Sequence, residues 1–208
     1  MPPLTTKLHV AMLQQALDEG QPSRDGLYGM QWGDPDSYPP LVPIRDHWLL
    51  PYVQQDRTAV EIGAGGGRWT RYLLGFQRLY VVEYYPEVLA EFRKNLTQPN
   101  IVEVLNNGAD LPGIEAGSVD FVFSFGCFVH LDADIIRAYL ANLHAVVRPS
   151  AQLVIHYSDR DKPAGRHPGF SDNDPRRMRA MVEEAGFHIE EEDTTFLDSA
   201  AIMRFSPS

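Results

Sequence analysis

The chain has 208 residues, 44% of them hydrophobic, and a formal net charge of -10 from 28 acidic against 18 basic side chains. This length and composition fit one globular domain with a sizeable core, and the negative charge disfavours DNA, RNA and anionic membrane surfaces as partners. A single cysteine, Cys127, excludes an internal disulfide, and no apolar run reaches membrane-spanning length.

Leu8, Met12 and Leu17 recur at roughly helical spacing and Gly20 offers a stop, so residues 6–19 read as an amphipathic helix. The same N-terminus mixes charged residues and glutamine through its apolar positions and lacks the continuous apolar segment of a signal peptide, so cytoplasmic residence is the expectation. Residues 21–43 are dense in Pro, Gly and Asp and read as loop, yet they carry the large rings of Tyr28, Trp32 and Tyr38. The stretch IRDHWLLPYV at 44–53 predicts a short helix interrupted at Pro51, with strand-like alternation after it.

From residue 58, short apolar runs alternate with helical stretches. TAVEIG and LYVVEY read as strands with a helix near Trp69–Gly75 between them; a helix over 86–96 precedes the strands IVEVLN and VDFVFSF. The helix DADIIRAYLANLHAVV, the strand AQLVIHY, the helix PRRMRAMVEEAG and two strands near FHIEEEDTTF and SAAIMRFS complete the chain. This rhythm predicts an α/β fold: a doubly wound, Rossmann-like sheet of seven strands, mostly parallel, with helices on both faces. The last strand should run antiparallel, because no helix separates it from the strand before. The apolar run VDFVFSF suits a strand covered on both sides. We divide the chain into an N-terminal helix-and-loop arm, 1–55, and a main domain, 56–208.

The first strand leads into EIGAGGGRWT. A dinucleotide fingerprint, G-x-G-x-x-G, needs a third glycine where Arg68 stands. Counted instead as E-x-G-x-G-x-G, the residues Glu61, Gly63, Gly65 and Gly67 fit at every position. In this spacing the chain resembles motif I of the class I methyltransferases that use S-adenosylmethionine, and further segments extend the resemblance over nearly the whole domain. VVEYYPEVL ends the second strand in Glu83, where an acid accepts hydrogen bonds from both ribose hydroxyls. NNGADLPGIEAGSVDFVFS resembles the stretch that contacts adenine, with Asn107 in the place of an aspartate common in the family and Asp110 as the competing candidate. VVRPSAQLVIHY resembles the helix-to-strand turn before the fifth strand, with Ser150 and Ala151 replacing two glycines. The resemblance implies the class I methyltransferase fold and S-adenosylmethionine as cofactor, held by Glu61, Gly63, Gly65, Gly67, Glu83, Asn107, Ala109, Asp110 and Ser124.

In doubly wound sheets ligands collect beyond the carboxyl ends of the strands. SFGCFVHLD, after the fourth strand, offers His130, whose ordinary pKa suits a general base, although a His-Leu pair here also packs without catalysing. Cys127 reads as buried filler. HYSDRDKPAGRHPGF offers His156, Tyr157 and Arg160 to an acceptor. Some sugar O-methyltransferases use a divalent cation such as magnesium, for which Asp159 with His130 or His156 would be the donors here. Tyr28, Trp32 and Tyr38, beside Asp34, Asp36 and Arg45, suit a sugar ring stacked on aromatics with its hydroxyls on the acids; the alternative is that these rings staple the arm to the core. The arm and the glycine turn together are similar to small bacterial sugar and polysaccharide O-methyltransferases, among them the group that 1-O-methylates mycobacterial methylmannose polysaccharide. That resemblance implies methyl transfer to a hydroxyl of a small carbohydrate, with a homodimer left open. Methylation of another small metabolite, a nicotinamide oxidoreductase and a noncatalytic binding protein are the rival readings.

Overall fold

The computed structural model describes residues 29–208, so the helix expected over 6–19 and the ring of Tyr28 lie outside the described residues. Seven strands form one sheet in the order β3-β2-β1-β4-β5-β7-β6: β1 Thr58–Ile62, β2 Arg78–Glu83, β3 Ile101–Leu105, β4 Val119–Ser124, β5 Val147–Ser158, β6 Phe187–Asp193 and β7 Ala200–Pro207. The pairings β3–β2, β2–β1, β1–β4 and β4–β5 are parallel. β7 alone reverses, running antiparallel to both β5 and β6, as the missing helix before it predicts. Because the chain winds outward from β1 to one side and from β4 to the other, the carboxyl ends of these two strands flank the crevice at the switch in strand order.

Among the described residues four α-helices cover the sheet: α1 Thr70–Leu73, α2 Pro86–Asn95, α3 Ala133–Val146 and α4 Pro175–Glu184. Helix α2 opens with Pro86, whose fixed φ suits the first turn, and carries Glu87 at its start and Arg93 and Lys94 at its end, each opposite in sign to the helix dipole it meets. Helix α4 is capped by Asp174, whose side chain accepts from the Arg177 N–H at 2.9 Å. In α3, Ile136, Tyr139, Leu140, Leu143 and Val146 recur at helical spacing and are buried. They pack with Met178, Met181 and Val182 of α4 against one sheet face. The other face takes Leu73, Leu89 and Phe92 from α1 and α2, together with Leu41, Ile44, Trp48 and Leu49 of the arm. Every residue of β4 is buried, as its apolar run requires.

Two segments depart from the sequence reading. The stretch after Pro51 is not strand: Ile44–Leu49 form a π-helical turn and Leu50–Tyr52 a 3₁₀ turn. Tyr52 then lies flat on Phe121, with ring centroids 5.2 Å apart, and this side-chain packing takes the place of strand pairing until Thr58. The VVRPS segment is no turn either. Helix α3 hands directly into β5 at Val147, which pairs with Val119. Pro149 disfavours helix at Arg148, and no non-glycine residue among those described has positive φ, so Ser150 and Ala151 stay extended where glycines would turn.

The loop from Asp159 to Asn173 returns over the carboxyl ends of β4 and β5. Its backbone is tied by the Asp159 N–H to the Ser199 carbonyl and the Ser171 N–H to the Val129 carbonyl. A Cβ built on Gly165 would stand 1.8 Å from the Asp159 carbonyl oxygen and 2.8 Å from that of Ser199. Both are backbone atoms and cannot swing aside. Gly165→Ala is therefore expected to cost about 3 kcal/mol, the upper end of ordinary overpacking penalties, seen as a lower urea midpoint with an unchanged m value. Among the described residues no helix is long and apolar enough to cross a membrane.

Candidate active site

The glycine turn leaves β1 at Ile62 and enters α1 at Thr70. Gly63, Gly65 and Gly67 all have positive φ, at 74°, 59° and 96°, a region that side chains with a Cβ rarely adopt. Space is equally restrictive: a Cβ on Gly63 would meet the Cβ of Cys127 at 2.5 Å, and one on Gly67 would meet Leu96 at 2.4 Å. Cys127 is thus the floor under the turn, and burial pushes its thiol far up from its ordinary pKa, so it stays protonated.

Two acids face this turn. Glu61 is buried and its Oε2 accepts from the Thr70 hydroxyl at 2.5 Å. Burial pushes its carboxyl up to about 8, against the lowering effect of that hydrogen bond. Glu83, at the end of β2, accepts from the Tyr84 N–H at 2.8 Å and more weakly from Tyr85; burial raises it, while the N–H groups of Tyr84, Tyr85 and Gly65 oppose the rise. Neither acid makes an ion pair among the described residues. Beyond them, the loop after β3 is braced by Asn106, which donates to the Tyr139 hydroxyl at 2.6 Å and to the Asp110 carbonyl at 3.2 Å. The Asp110 carboxylate accepts from the Asn107 N–H at 2.7 Å, so Asp110 shapes the loop while the Asn107 side chain stands exposed. Tyr84, itself exposed, approaches Gly108 and gives this end a flat apolar wall.

The other end is built from imidazoles. His130 bonds the Gly169 carbonyl through Nδ1 at 2.6 Å. A carbonyl only accepts, so Nδ1 carries the proton and Nε2 of the neutral ring carries the lone pair. Burial lowers the His130 pKa from 6.5, with His167 adding to the fall and the Gly169 carbonyl opposing it. His156 is arranged the opposite way. Its Nδ1 accepts from the Gly126 N–H at 3.1 Å, which leaves the proton on Nε2. Its ring stacks on Phe125 at 4.0 Å, and burial beside His130, Arg68 and Lys162 depresses it to about 3.

Residues 59–150 match the family model described as a methyltransferase domain. Comparison with curated proteins gives no match. Among solved structures, an S-adenosylmethionine dependent methyltransferase from Mesorhizobium loti superposes with a TM-score of 0.69 at 14% identity, covering 82% of this chain and 99% of that one. A chain of the complex between the Haloferax volcanii Trm112 methyltransferase activator and a methyltransferase gives 0.65 at 17% identity, covering 83% and 96%. The glycopeptide N-methyltransferase MtfA, complexed with S-adenosylmethionine, gives 0.59 at 16% identity, covering 74% and 82%. At these identities the likeness is one of fold.

The residues present fit the methyl donor. S-adenosylmethionine would bring a sulfonium and an ammonium to a site whose two acids, Glu61 and Glu83, have no cation paired to them among the described residues, beside a turn kept bare of side chains by its three glycines. Magnesium does not fit. Among the described residues no three His, Cys, Asp or Glu groups converge as ligands. Asp159 is already engaged by the Asp161 N–H at 3.1 Å and by Lys162 at 3.8 Å, and imidazoles are poor donors to so hard a cation.

Several expected binding residues are turned elsewhere. Ser124 is fully buried and donates to the Ile62 carbonyl at 2.9 Å, tying β4 to β1. Tyr157, expected to face an acceptor, is fully buried on the α3/α4 side of the sheet and bonds Glu192 there. Arg160 pairs with Asp172. Asp34 and Asp36, expected to bond sugar hydroxyls, instead hold the arm to α1: Asp34 pairs with Arg71, and Asp36 with Arg45 and the Tyr72 hydroxyl, both at 2.7 Å. Trp32 and Tyr38 remain 54% and 48% exposed. Thr70, Asn106, Phe125 and Gly169 escaped the sequence reading, since each acts on a partner distant in the chain or through its backbone.

Proposed function

We propose that the chain is an S-adenosylmethionine-dependent methyltransferase that acts on a hydroxyl of a small carbohydrate acceptor, with His130 as the base. The observation that supports the base assignment is the Nδ1 contact to the Gly169 carbonyl, which directs basicity to Nε2, while burial keeps the ring neutral near pH 7. S-adenosylmethionine supplies a methyl carbon already activated by its sulfonium. The chain's own task is to hold it and to place the acceptor oxygen in line. Glu61, Gly63, Gly65, Gly67 and Glu83 hold the methionyl and ribose parts, and Asn107, Ala109 and Asp110 border the adenine. As the acceptor oxygen bonds the methyl carbon and the carbon–sulfur bond breaks, the hydroxyl proton passes to His130 Nε2. His156 offers its Nε2–H to a neighbouring acceptor oxygen, and the 1–55 arm presents Trp32 to the sugar's C–H face.

The carbohydrate reading rests on the exposed Trp32 and Tyr38 rings and on the resemblance to sugar O-methyltransferases; its narrowest form is the 1-hydroxyl of a methylated mannoside, modified in the cytoplasm. The fold does not fix the acceptor. Incubation with methyl-labelled S-adenosylmethionine and a panel of oligosaccharides, phenols and amines, followed by mass spectrometry, tests it. Label on a sugar hydroxyl supports the proposal. Label confined to phenols or amines replaces the acceptor class, and donor binding without any product points to a noncatalytic protein.

A further inference from the structure

Arg68 follows the glycine turn directly and is 93% buried by the 7% exposure of the whole residue. Its Nη1 donates to the Gly33 carbonyl at 3.2 Å, and its guanidinium carbon lies 5.6 Å from the Trp69 ring centre and 5.9 Å from that of Phe125. A guanidinium has five N–H donors. One hydrogen bond and no ion pair among the described residues leave this buried cation far short of its usual partners, although Glu61 and Asp34 act on it from a distance. Buried charges are ordinarily paired. Among the described residues the arm on one side supplies the Gly33 carbonyl, the rings of Trp69 and Phe125 supply faces and no acceptor oxygen, and the charged groups that reach neighbouring His156, Arg68 itself and Lys162, are cationic. Within a chain of net charge -10, this is a local deficit of anion.

The methyl donor has one anionic group, its α-carboxylate, on the same methionyl tail whose ammonium suits the acids of the glycine turn. We propose that Arg68 recognises that carboxylate, so that the turn reads the zwitterionic end of the donor with Glu61 for the cation and Arg68 for the anion. This rests on the donor assignment above and goes beyond it by naming the residue that distinguishes an amino-acid tail from a simple amine. Planar, two-pronged pairing with a carboxylate is the geometry a guanidinium serves best, and lysine would recover only part of it.

The experiment compares S-adenosylmethionine with its decarboxylated analogue by titration calorimetry on the whole chain. Wild-type protein is expected to bind the carboxylate-bearing donor roughly 10- to 100-fold more tightly. Arg68→Gln should lose affinity for S-adenosylmethionine while its affinity for the decarboxylated analogue barely changes, so the ratio collapses toward unity, and Arg68→Lys should restore part of it. Equal wild-type affinity for the two compounds overturns the proposal, and needs no variant to fold. A ratio kept in a folded Arg68→Gln also overturns it. If the wild type binds neither compound, the donor assignment itself fails, a result distinct from both.

Discussion

His130→Gln should lower the turnover number by roughly 10²- to 10⁴-fold, the range a positioned general base contributes, while donor affinity stays within about twofold. Glutamine keeps an amide N–H that can reach the Gly169 carbonyl, so the loop that His130 braces has a substitute partner, but it offers no basic lone pair. The pH profile separates this role from a structural one. A base works deprotonated, so wild-type activity climbs as pH rises through the His130 pKa, which burial and His167 set below the ordinary 6.5. The variant should lose that acid limb altogether. Unchanged turnover, or an acid limb that persists at 6.5 or above in the variant, would remove His130 from the chemistry.

The second large effect concerns Glu61 and the pH dependence of donor binding. Without a ligand its carboxyl is protonated below about 8, because burial outweighs the Thr70 hydrogen bond. A bound ammonium or sulfonium favours the ionised form, so binding below that pH releases a proton. Affinity for S-adenosylmethionine should therefore rise with pH, by up to about tenfold per unit, and level off above about 8. Glu61→Gln should flatten this slope. The unliganded protein should show the converse trend in stability. A folded pKa raised above 4.5 means that the folded state binds a proton the unfolded state has lost, so stability falls as pH climbs from 4.5 to about 8. The loss from this group is at most about 1.4 kcal/mol per pH unit and should vanish in Glu61→Gln. Chemical denaturation at several pH values, with and without donor, reads both slopes. Parallel wild-type and variant slopes would show that Glu61 does not titrate in this range.

Much of this architecture was legible before any coordinates. The strands announced themselves by short apolar runs, α2 and α4 by proline at the first turn and apolar spacing, and the glycine turn by a spacing that only positive φ and close packing explain. These are local signals: each depends on residues within a few positions of one another, and backbone sterics enforce it regardless of the rest of the chain. The reversal of β7 was equally readable, since a chain cannot return parallel without a crossover.

What failed or stayed open turned on partners far apart in sequence. His156 and Tyr157 are neighbours in the chain, yet β5 sends one to the crevice beside Phe125 and the other into the core under α3 and α4, because successive side chains of a strand face opposite ways and only the sheet's position decides which face is which. Asp34 and Asp36 carry the charge that suits a sugar, but Arg45, Arg71 and Tyr72 reach them first. Arg68 showed in the sequence only that a third glycine was missing. Its burial between the arm and Phe125, with one hydrogen bond, exists only when β1, β4 and the arm are assembled. The sequence by itself determined the elements, their order and the glycine turn after β1, through short-range sterics and periodicity; which charges remain unpaired around that turn was decided by the tertiary structure alone, because pairing depends on distance in space.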